Sequence, residues 1–135
     1  MPRGWLFAVP LLLSAAGPAP PPAAQPNLLP GLGRTDLLRE PLGASGREAI
    51  QVRVDFPPGA RAARHSHPGE ELVYVLEGAL EYRLDGRQPV TVRAGEVLFI
   101  PHGTVHAVTN VARGPASELA TYIVEPGKPL LVPAE

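Results

Sequence analysis

The sequence contains no cysteine in 135 residues, and its formal net charge at pH 7 is only −1. The absence of cysteine excludes disulfide bonds and thiolate nucleophiles, so any metal site must use nitrogen and oxygen ligands. The near-zero charge is atypical of proteins that bind nucleic acid, which concentrate lysine and arginine on one face. We therefore expect no nucleic-acid partner.

The amino terminus has the pattern of an export signal. A positively charged start, Met1-Pro2-Arg3, precedes an almost wholly apolar run at residues 5–16. Such a run has the length of a signal-peptide hydrophobic region and is too short to span a bilayer as a helix. Small residues at positions 14–16 predict cleavage after Ala16. The mass of the exported protein tests this, because an uncleaved chain contradicts the prediction.

Cleavage after Ala16 would divide the chain into three parts. Residues 1–16 are the signal peptide, residues 17–33 a Pro/Ala-rich extended linker, and residues 34–135 a single domain. The protein is then secreted or periplasmic and keeps no stable membrane anchor after cleavage. The alternative is an alanine- and proline-rich tail that is hydrophobic by chance.

Residues 34–135 consist of short apolar runs separated by glycine and proline. Apart from a possible short helical turn at residues 36–39, they predict β-strands. Residues 72–76 and 97–100 are continuous apolar runs, which we interpret as strands buried on both faces. At least seven short strands indicate an all-β sandwich, barrel or jelly roll. The other predicted strands are residues 50–56, 80–84, 90–92, 105–109 and 119–124.

Two histidines and a carboxylate precede the run at residues 72–76. In an extended chain alternate side chains share a face, and this rule groups His65, His67 and Glu71. The grouping holds if the turn between His67 and Glu71 does not disturb the alternation. Glu70 then points the other way. Two imidazoles and one carboxylate are a ligand set for Fe(II) and similar ions. His106, in a later strand, can complete the set as a fourth ligand.

Each of these residues is weak support for a site when taken alone. Paired histidines are common on surfaces near loops, and a single carboxylate usually lies in water. An isolated His106 is more often a hydrogen-bonded or half-exposed side chain than a ligand. The metal-site hypothesis therefore depends on all four residues belonging to one pattern.

Two spaced motifs supply that pattern. The first is Gly59, five residues, His65-Ser66-His67, three residues, Glu71, six residues and Gly78. The second is Gly95, five residues, Pro101-His102-Gly103, two residues, His106, three residues and Asn110. Both resemble the motifs of the cupin superfamily at every fixed position. Their short separation is typical of small single-domain bacterial cupins.

This resemblance implies an antiparallel jelly-roll β-barrel with one divalent metal ion inside. In cupins the ion is commonly Fe(II) or Mn(II), and sometimes Ni, Cu or Zn. The residues of this chain that match the family's metal ligands are His65, His67, Glu71 and His106.

The remaining motif residues have structural interpretations. Gly78, Gly95 and Gly103 are suited to turns that need a positive φ. We expect Asn110 to fix a turn or a strand end, and His102 to be an exposed turn residue.

Three functions fit such a protein. The first is a metal-dependent oxygenase that acts on a small organic substrate. The alternative is an exported, non-catalytic module that binds or senses a small molecule or a metal. The third is a barrel whose metal is chiefly structural. No second catalytic residue stands out. Strand alternation does not say which of four candidates point inward, namely Tyr82, Tyr122, Arg53 and Gln51. Tyr82 shares its face with Leu80 and Leu84, so we expect it to line the pocket or, in preference, to pack in the core.

A homodimer is expected by analogy with small cupins, whose terminal strands often pack across a dimer. The exposed side of Leu72, Tyr74 and Leu76 would be a suitable partner surface if residues 34–46 do not cover it.

Overall fold

The structure is a computed structural model that describes residues 29–135. The predicted signal peptide (1–16) and residues 17–28 of the predicted linker lie outside this range. Within it there is no helix long and apolar enough to cross a membrane. The elements are β1 (Gly33–Pro41), a 3-10 turn (Gly43–Ser45), β2 (Glu48–Phe56), β3 (Arg61–Ser66), β4 (Gly69–Glu77), β5 (Ala79–Leu84), β6 (Val90–Arg93), β7 (Val97–Ile100), β8 (His106–Asn110), β9 (Ala116–Val124) and β10 (Val132–Pro133).

These strands form two five-stranded sheets. One has the order β1-β2-β9-β4-β7 and the other the order β10-β3-β8-β5-β6. All pairings are antiparallel. Apart from the pairs β1–β2 and β5–β6, strands that follow each other in the chain lie in different sheets, so the chain crosses repeatedly between them. This arrangement confirms the all-β, antiparallel jelly-roll fold that the sequence predicted.

The hydrophobic core lies between the two sheets. The inner face of β2 contributes Ile50, Val52, Val54 and Phe56, none more than 3% exposed. Burying each such side chain stabilises the fold by about 1.5–3 kcal/mol. Two leucines that precede β1, Leu29 and Leu32, also pack against this core, so the segment before the first strand takes part in the packing.

Residues 36–39 form part of strand β1, so the short helical turn that the sequence suggested is wrong. β1 pairs with β2 from Gly33, opposite Asp55, to Pro41, opposite Glu48. All nine residues of β1 are exposed, which removes the alternation of buried and exposed side chains that identifies a strand. Backbone pairing to the edge of β2 therefore decides the conformation of this segment.

The outer face of β4 and β7 is apolar and open to solvent. Exposed fractions are 47% for Leu72, 44% for Tyr74 and 40% for Leu76 in β4, and 73% for Val97 and 52% for Phe99 in β7. The prediction that both strands are buried on two faces is therefore wrong. We call these five residues the apolar outer face. β1 lies at the opposite edge of the sheet from β7 and does not cover it.

The turns contain the glycines that the sequence assigned to them. Gly78, Gly95 and Gly103 have φ values of 73°, 87° and 70°, as predicted. Gly78 also lies close to another part of the backbone, because a Cβ atom there would be 2.7 Å from the carbonyl oxygen of Pro115. Glycine is thus required between β4 and β5 both by conformation and by space.

Candidate metal centre

Four polar side chains that the sequence singled out meet inside the barrel. His65 in β3 and His106 in β8 are direct partners across their strand pair. His67 follows β3, and Glu71 lies in β4 of the other sheet. Their exposed fractions are 6% for His65, 3% for His67, 3% for Glu71 and 1% for His106. Imidazole and carboxylate groups are seldom buried this deeply without partners.

The three imidazole rings surround one point. Ring centroids are 4.9 Å apart for His65 and His67, 4.4 Å for His65 and His106, and 5.2 Å for His67 and His106. One ring nitrogen from each lies within 4.8 Å of the others, so the group can hold a metal ion. Glu71 Oε2 lies 3.1 Å from His67 Nε2 and 3.3 Å from His106 Nε2.

Backbone carbonyl groups fix the orientation of all three rings. In each ring Nδ1 donates to a carbonyl oxygen: His65 to Ala63 at 2.6 Å, His67 to Leu130 at 2.7 Å and His106 to Thr104 at 3.0 Å. A carbonyl oxygen only accepts hydrogen bonds, so a neutral ring carries its proton on Nδ1 and leaves a lone pair on Nε2. Metal-binding histidines in general are held in this way.

Two atoms of the cluster have no hydrogen-bond partner within residues 29–135, namely His67 Nε2 and Glu71 Oε2. A buried polar atom without a partner costs about 1–3 kcal/mol. Lone pairs that converge at 3.1 Å and 3.3 Å repel one another unless a cation lies between them. The donor set therefore fits a divalent metal ion, and its nitrogen and oxygen atoms suit one.

The electrostatics of the cluster favour a neutral His65 near an ionised Glu71. Burial, and then the proximity of His106, lowers the pKa of His65 to about 4. Burial opposes the ionisation of Glu71, but its close interactions with His106 and His67 outweigh burial and keep the pKa of Glu71 well below its usual range. Burial also lowers the pKa of His106, yet Glu71 reverses the sign and raises it. The negative charge of Glu71 can thus be compensated either by a proton on His106 or by a metal ion.

The carboxylate next to Glu71 in the sequence is directed elsewhere. Glu70 points out of the barrel, where Arg47 Nη2 donates to its Oε2 at 2.6 Å. The structure therefore keeps Glu70 away from the cluster, as strand alternation predicted. His102 is exposed in the turn after β7, which agrees with the expectation for that residue.

Asn110 fixes a strand end, as its place at the end of the second motif suggested. Its Nδ2 donates to three carbonyl oxygens, those of Phe56 at 3.0 Å, Pro57 at 3.1 Å and Gly114 at 2.9 Å. Its Oδ1 accepts from the amide of Ala112 at 2.8 Å. All of its polar atoms are therefore used to join the end of β2 to the loop after β8.

A small cavity adjoins the cluster. Its volume is about 10 Å³, which is close to the space that one water molecule needs. Polar lining comes from His65, Glu71, His106, Glu118 and Tyr122. The apolar lining includes three partly exposed leucines that lie near the two ends of the described chain: Leu29, Leu32 and Leu131. A ligand larger than water therefore requires these side chains to move.

Glu118 is the candidate functional residue that the sequence analysis missed. The last long strand was predicted to begin at residue 119, whereas β9 begins at Ala116. Residues 116, 118, 120, 122 and 124 form the buried inner face of β9. A carboxyl group at one of these positions is unusual, and a longer predicted strand would have revealed it.

Fold and site together define a small jelly-roll barrel with three histidines and one carboxylate gathered at its centre. The family model described as a cupin domain matches residues 52–124. The chain therefore belongs to the cupin family, as its two motifs indicated.

Similar curated proteins come from plants and bacteria. A germin-like protein (subfamily 2 member 2) of Arabidopsis thaliana is 39% identical over 76 residues, which cover 53% of this chain and 35% of the plant protein. An oxalate-binding protein of Thermotoga maritima is 32% identical over 74 residues, which cover 54% of this chain and 60% of the relative. The chain thus matches between about a third and three fifths of the length of these relatives.

Solved structures of similar fold include enzymes that act on small carboxylates. An oxalate oxidase in complex with glycolate has a TM-score of 0.64 and 28% identity, covering 82% of this chain and 57% of the oxidase. A predicted oxalate decarboxylase of Thermotoga maritima has a TM-score of 0.59 and 28% identity, covering 69% of this chain and 80% of that protein.

Proposed function

We propose that this cupin binds one divalent metal ion through His65, His67, Glu71 and His106. The observation that carries the proposal is the orientation of the three rings. Each Nδ1 donates to a backbone carbonyl, so that each Nε2 lone pair is available. Those of His67 and His106 lie beside the Glu71 carboxylate. Because these hydrogen bonds hold the rings in place without a ligand, the ion enters a site that is already organised.

The ion is Fe(II) or Mn(II) in this proposal, with Ni, Cu and Zn as the less favoured alternatives. Three imidazoles and a carboxylate provide no soft sulfur ligand, and the sequence contains no cysteine. Such nitrogen and oxygen sets suit Fe(II) and Mn(II), and they leave coordination positions open for a ligand. Metal analysis of protein purified without added metal identifies the ion.

The reaction that we propose is oxygenase chemistry on a small organic substrate. When bound, the ion supplies Lewis-acid polarisation and open positions for ligands. The protein contributes burial, since the four side chains are at most 6% exposed and the adjoining cavity has a volume of only about 10 Å³. An oxalate oxidase of similar fold, with glycolate bound, supports a substrate that carries a carboxylate.

A second candidate function is binding without turnover. The relative from Thermotoga maritima is an oxalate-binding protein, and this chain covers 60% of it. An exported module that binds or senses a small molecule or a metal needs the same metal centre but no catalytic step. The cavity of about 10 Å³ offers little space for two reactants at once, which favours this alternative.

Oxygen uptake by the metal-loaded protein separates the two functions. Protein loaded with Fe(II) or Mn(II) is mixed with oxalate, glycolate and catechol in turn, and dissolved oxygen is followed. Consumption that requires metal, protein and one substrate together supports the oxygenase. A ligand-induced rise in Tm without oxygen consumption supports the binding module instead. The His106→Ala variant is the matched control, because it shows how much oxygen is consumed by metal ions that are not bound at the site.

We further propose that the mature protein is exported and forms a homodimer through the apolar outer face. Large exposed apolar patches on a folded protein commonly mark interaction sites, and the five residues of this face lie on adjacent strands β4 and β7. Light scattering of the protein is expected to give twice the mass of one chain. Phe99→Glu places a charge in the patch and is expected to give monomers, whereas a monomeric unmodified protein contradicts the proposal.

A further inference from the structure

Glu118 is a buried carboxyl group that the proposed metal centre does not explain. It lies on the inner face of β9 and is 4% exposed. Its partners on the neighbouring strands are Val54 of β2 and Val75 of β4, both members of the hydrophobic core. An ionised carboxylate in such surroundings loses most of its hydration, which is far more costly than burying the neutral acid.

Tyr82, on the opposite sheet, holds Glu118 in place. Its hydroxyl donates a short hydrogen bond to Glu118 Oε2, and the tyrosine side chain is fully buried. Within residues 29–135 this is the only hydrogen bond of the Glu118 side chain, and no lysine or arginine forms an ion pair with it. In the metal-free protein, burial and then the charge of Glu71 raise the pKa of Glu118, although the Tyr82 hydrogen bond acts in the opposite direction. When an ion neutralises Glu71, burial among apolar side chains still favours the neutral acid.

Glu118 also faces the proposed metal centre. It lines the same cavity of about 10 Å³ as three of the four proposed ligands. On β9, only the small side chain of Ala120 lies between Glu118 and Tyr122 on the inner face, and Tyr122 is the strand partner of Glu71. The titratable groups that surround Glu118 or share its cavity are Tyr82 on β5, Glu71 on β4, His65 on β3, His106 on β8 and Tyr122 on β9.

We propose that Glu118, positioned by Tyr82, is a ligand-binding residue of the metal cavity, and that as a neutral carboxylic acid it donates a hydrogen bond to a small carboxylate anion. This inference rests on the proposed metal centre. A divalent ion and the Glu71 carboxylate together leave one positive charge, which attracts an anion. A second ionised carboxylate would cancel that charge, whereas a neutral acid keeps it and adds a donor.

The charge state of Glu118 then controls ligand affinity. While Glu118 is protonated, it can donate to an oxygen of the anion. As the pH rises and Glu118 ionises, the donor is lost and a repulsive charge appears. The binding-competent fraction falls about tenfold for each pH unit above the pKa. The apparent Kd for a carboxylate should therefore rise with pH by the same factor.

Glycolate binding to the Mn(II)-loaded protein tests the inference, with calorimetry from neutral to alkaline pH as the readout. Glu118→Gln keeps the size of the side chain and a permanent neutral donor. Glycolate binding to this variant is expected to lose its pH dependence. Glu118→Leu has no donor and is expected to weaken binding by roughly 10- to 100-fold at neutral pH. A Glu118→Gln variant with the unmodified pH profile overturns the inference.

Tyr82→Phe tests the positioning role and keeps the inference falsifiable if a Glu118 variant does not fold. Loss of the Tyr82 donor removes the interaction that favours the ionised acid, so the fall in affinity should begin at a higher pH. A purely structural role for Tyr82 would lower stability without moving this profile, and an unmoved profile contradicts the proposal. Metal content is measured first. An unmodified protein that takes up no divalent metal ion contradicts the proposed function as a whole, whereas bound Mn(II) with an unchanged Glu118→Gln profile contradicts only this inference.

Discussion

Replacing His106 by alanine is expected to abolish metal binding. His106 is 1% exposed, and its Nε2 lies 3.3 Å from Glu71 Oε2, so the variant lacks one donor of the buried set. Even the loss of a residue that only supports a metal ligand commonly costs 10- to 100-fold in affinity, and we expect loss of a ligand to cost at least about 100-fold. Isothermal titration with Mn(II) measures the effect, and His67→Ala should behave in the same way.

Glu70→Ala is the matched control for this experiment. Glu70 is adjacent to Glu71 in the sequence, but its side chain contacts Arg47 outside the barrel. This ion pair is only partly exposed, and a surface pair contributes about 0–1 kcal/mol, so the variant should keep its fold, its metal and any activity. Loss of metal in Glu70→Ala as severe as in His106→Ala would contradict the assignment of the inner face. Circular dichroism distinguishes loss of a ligand from loss of the fold.

Gly69→Ala is expected to destabilise the barrel by several kcal/mol. Gly69 is the first residue of β4 and pairs with Val124 of β9. A Cβ atom at this position would lie 2.0 Å from the carbonyl oxygen of Ile123 and 2.7 Å from Val124 Cα. Both atoms belong to the backbone of the neighbouring strand, so they move only if the strand pairing is disturbed. We expect a loss of about 4 kcal/mol, in the range of severe point mutations, and a fall in Tm of more than about 10 °C.

Gly86→Ala is the control for the glycine prediction. Gly86 has φ of 75°, but a Cβ atom there would meet nothing within 4 Å. Its replacement therefore costs only the strain of a left-handed backbone, about 1–2 kcal/mol. Because Glu71 follows Gly69 by two residues in β4, Gly69→Ala should also weaken metal binding, whereas Gly86→Ala should not. Equal changes in Tm for the two variants would contradict the steric explanation.

Much of the proposed site was predictable because it depends on local geometry. An extended backbone directs alternate side chains to opposite faces, and this rule alone separated Glu71 from Glu70. The rule holds over a few residues and needs no knowledge of neighbouring strands. His106 is about forty residues away along the chain, and only its motif connected it to the others. The structure places it opposite His65 through the pairing of β3 with β8.

The predictions that were wrong concern surfaces that another part of the chain covers or leaves open. Leu72 and Phe99 belong to strands whose sequence runs are apolar on both faces, yet one face of each is exposed. The residue pattern of a strand shows which of its faces are apolar. Whether an apolar face is buried depends on what packs against it, and the order of strands in the sheet decides that. The predicted helical turn at residues 36–39 was wrong for a related reason. β1 is defined by its pairing to β2, and all its side chains are exposed.

The sequence by itself determined the fold class, the turns at Gly78, Gly95 and Gly103, and the four candidate ligands, since each follows from short-range spacing or from the two motifs. Only the tertiary structure decided the features that join distant segments. It brought the carbonyl of Leu130 to His67 Nδ1 and paired Tyr82 with Glu118 across the barrel. Such contacts depend on strand register and sheet order, which the local pattern of residues does not encode.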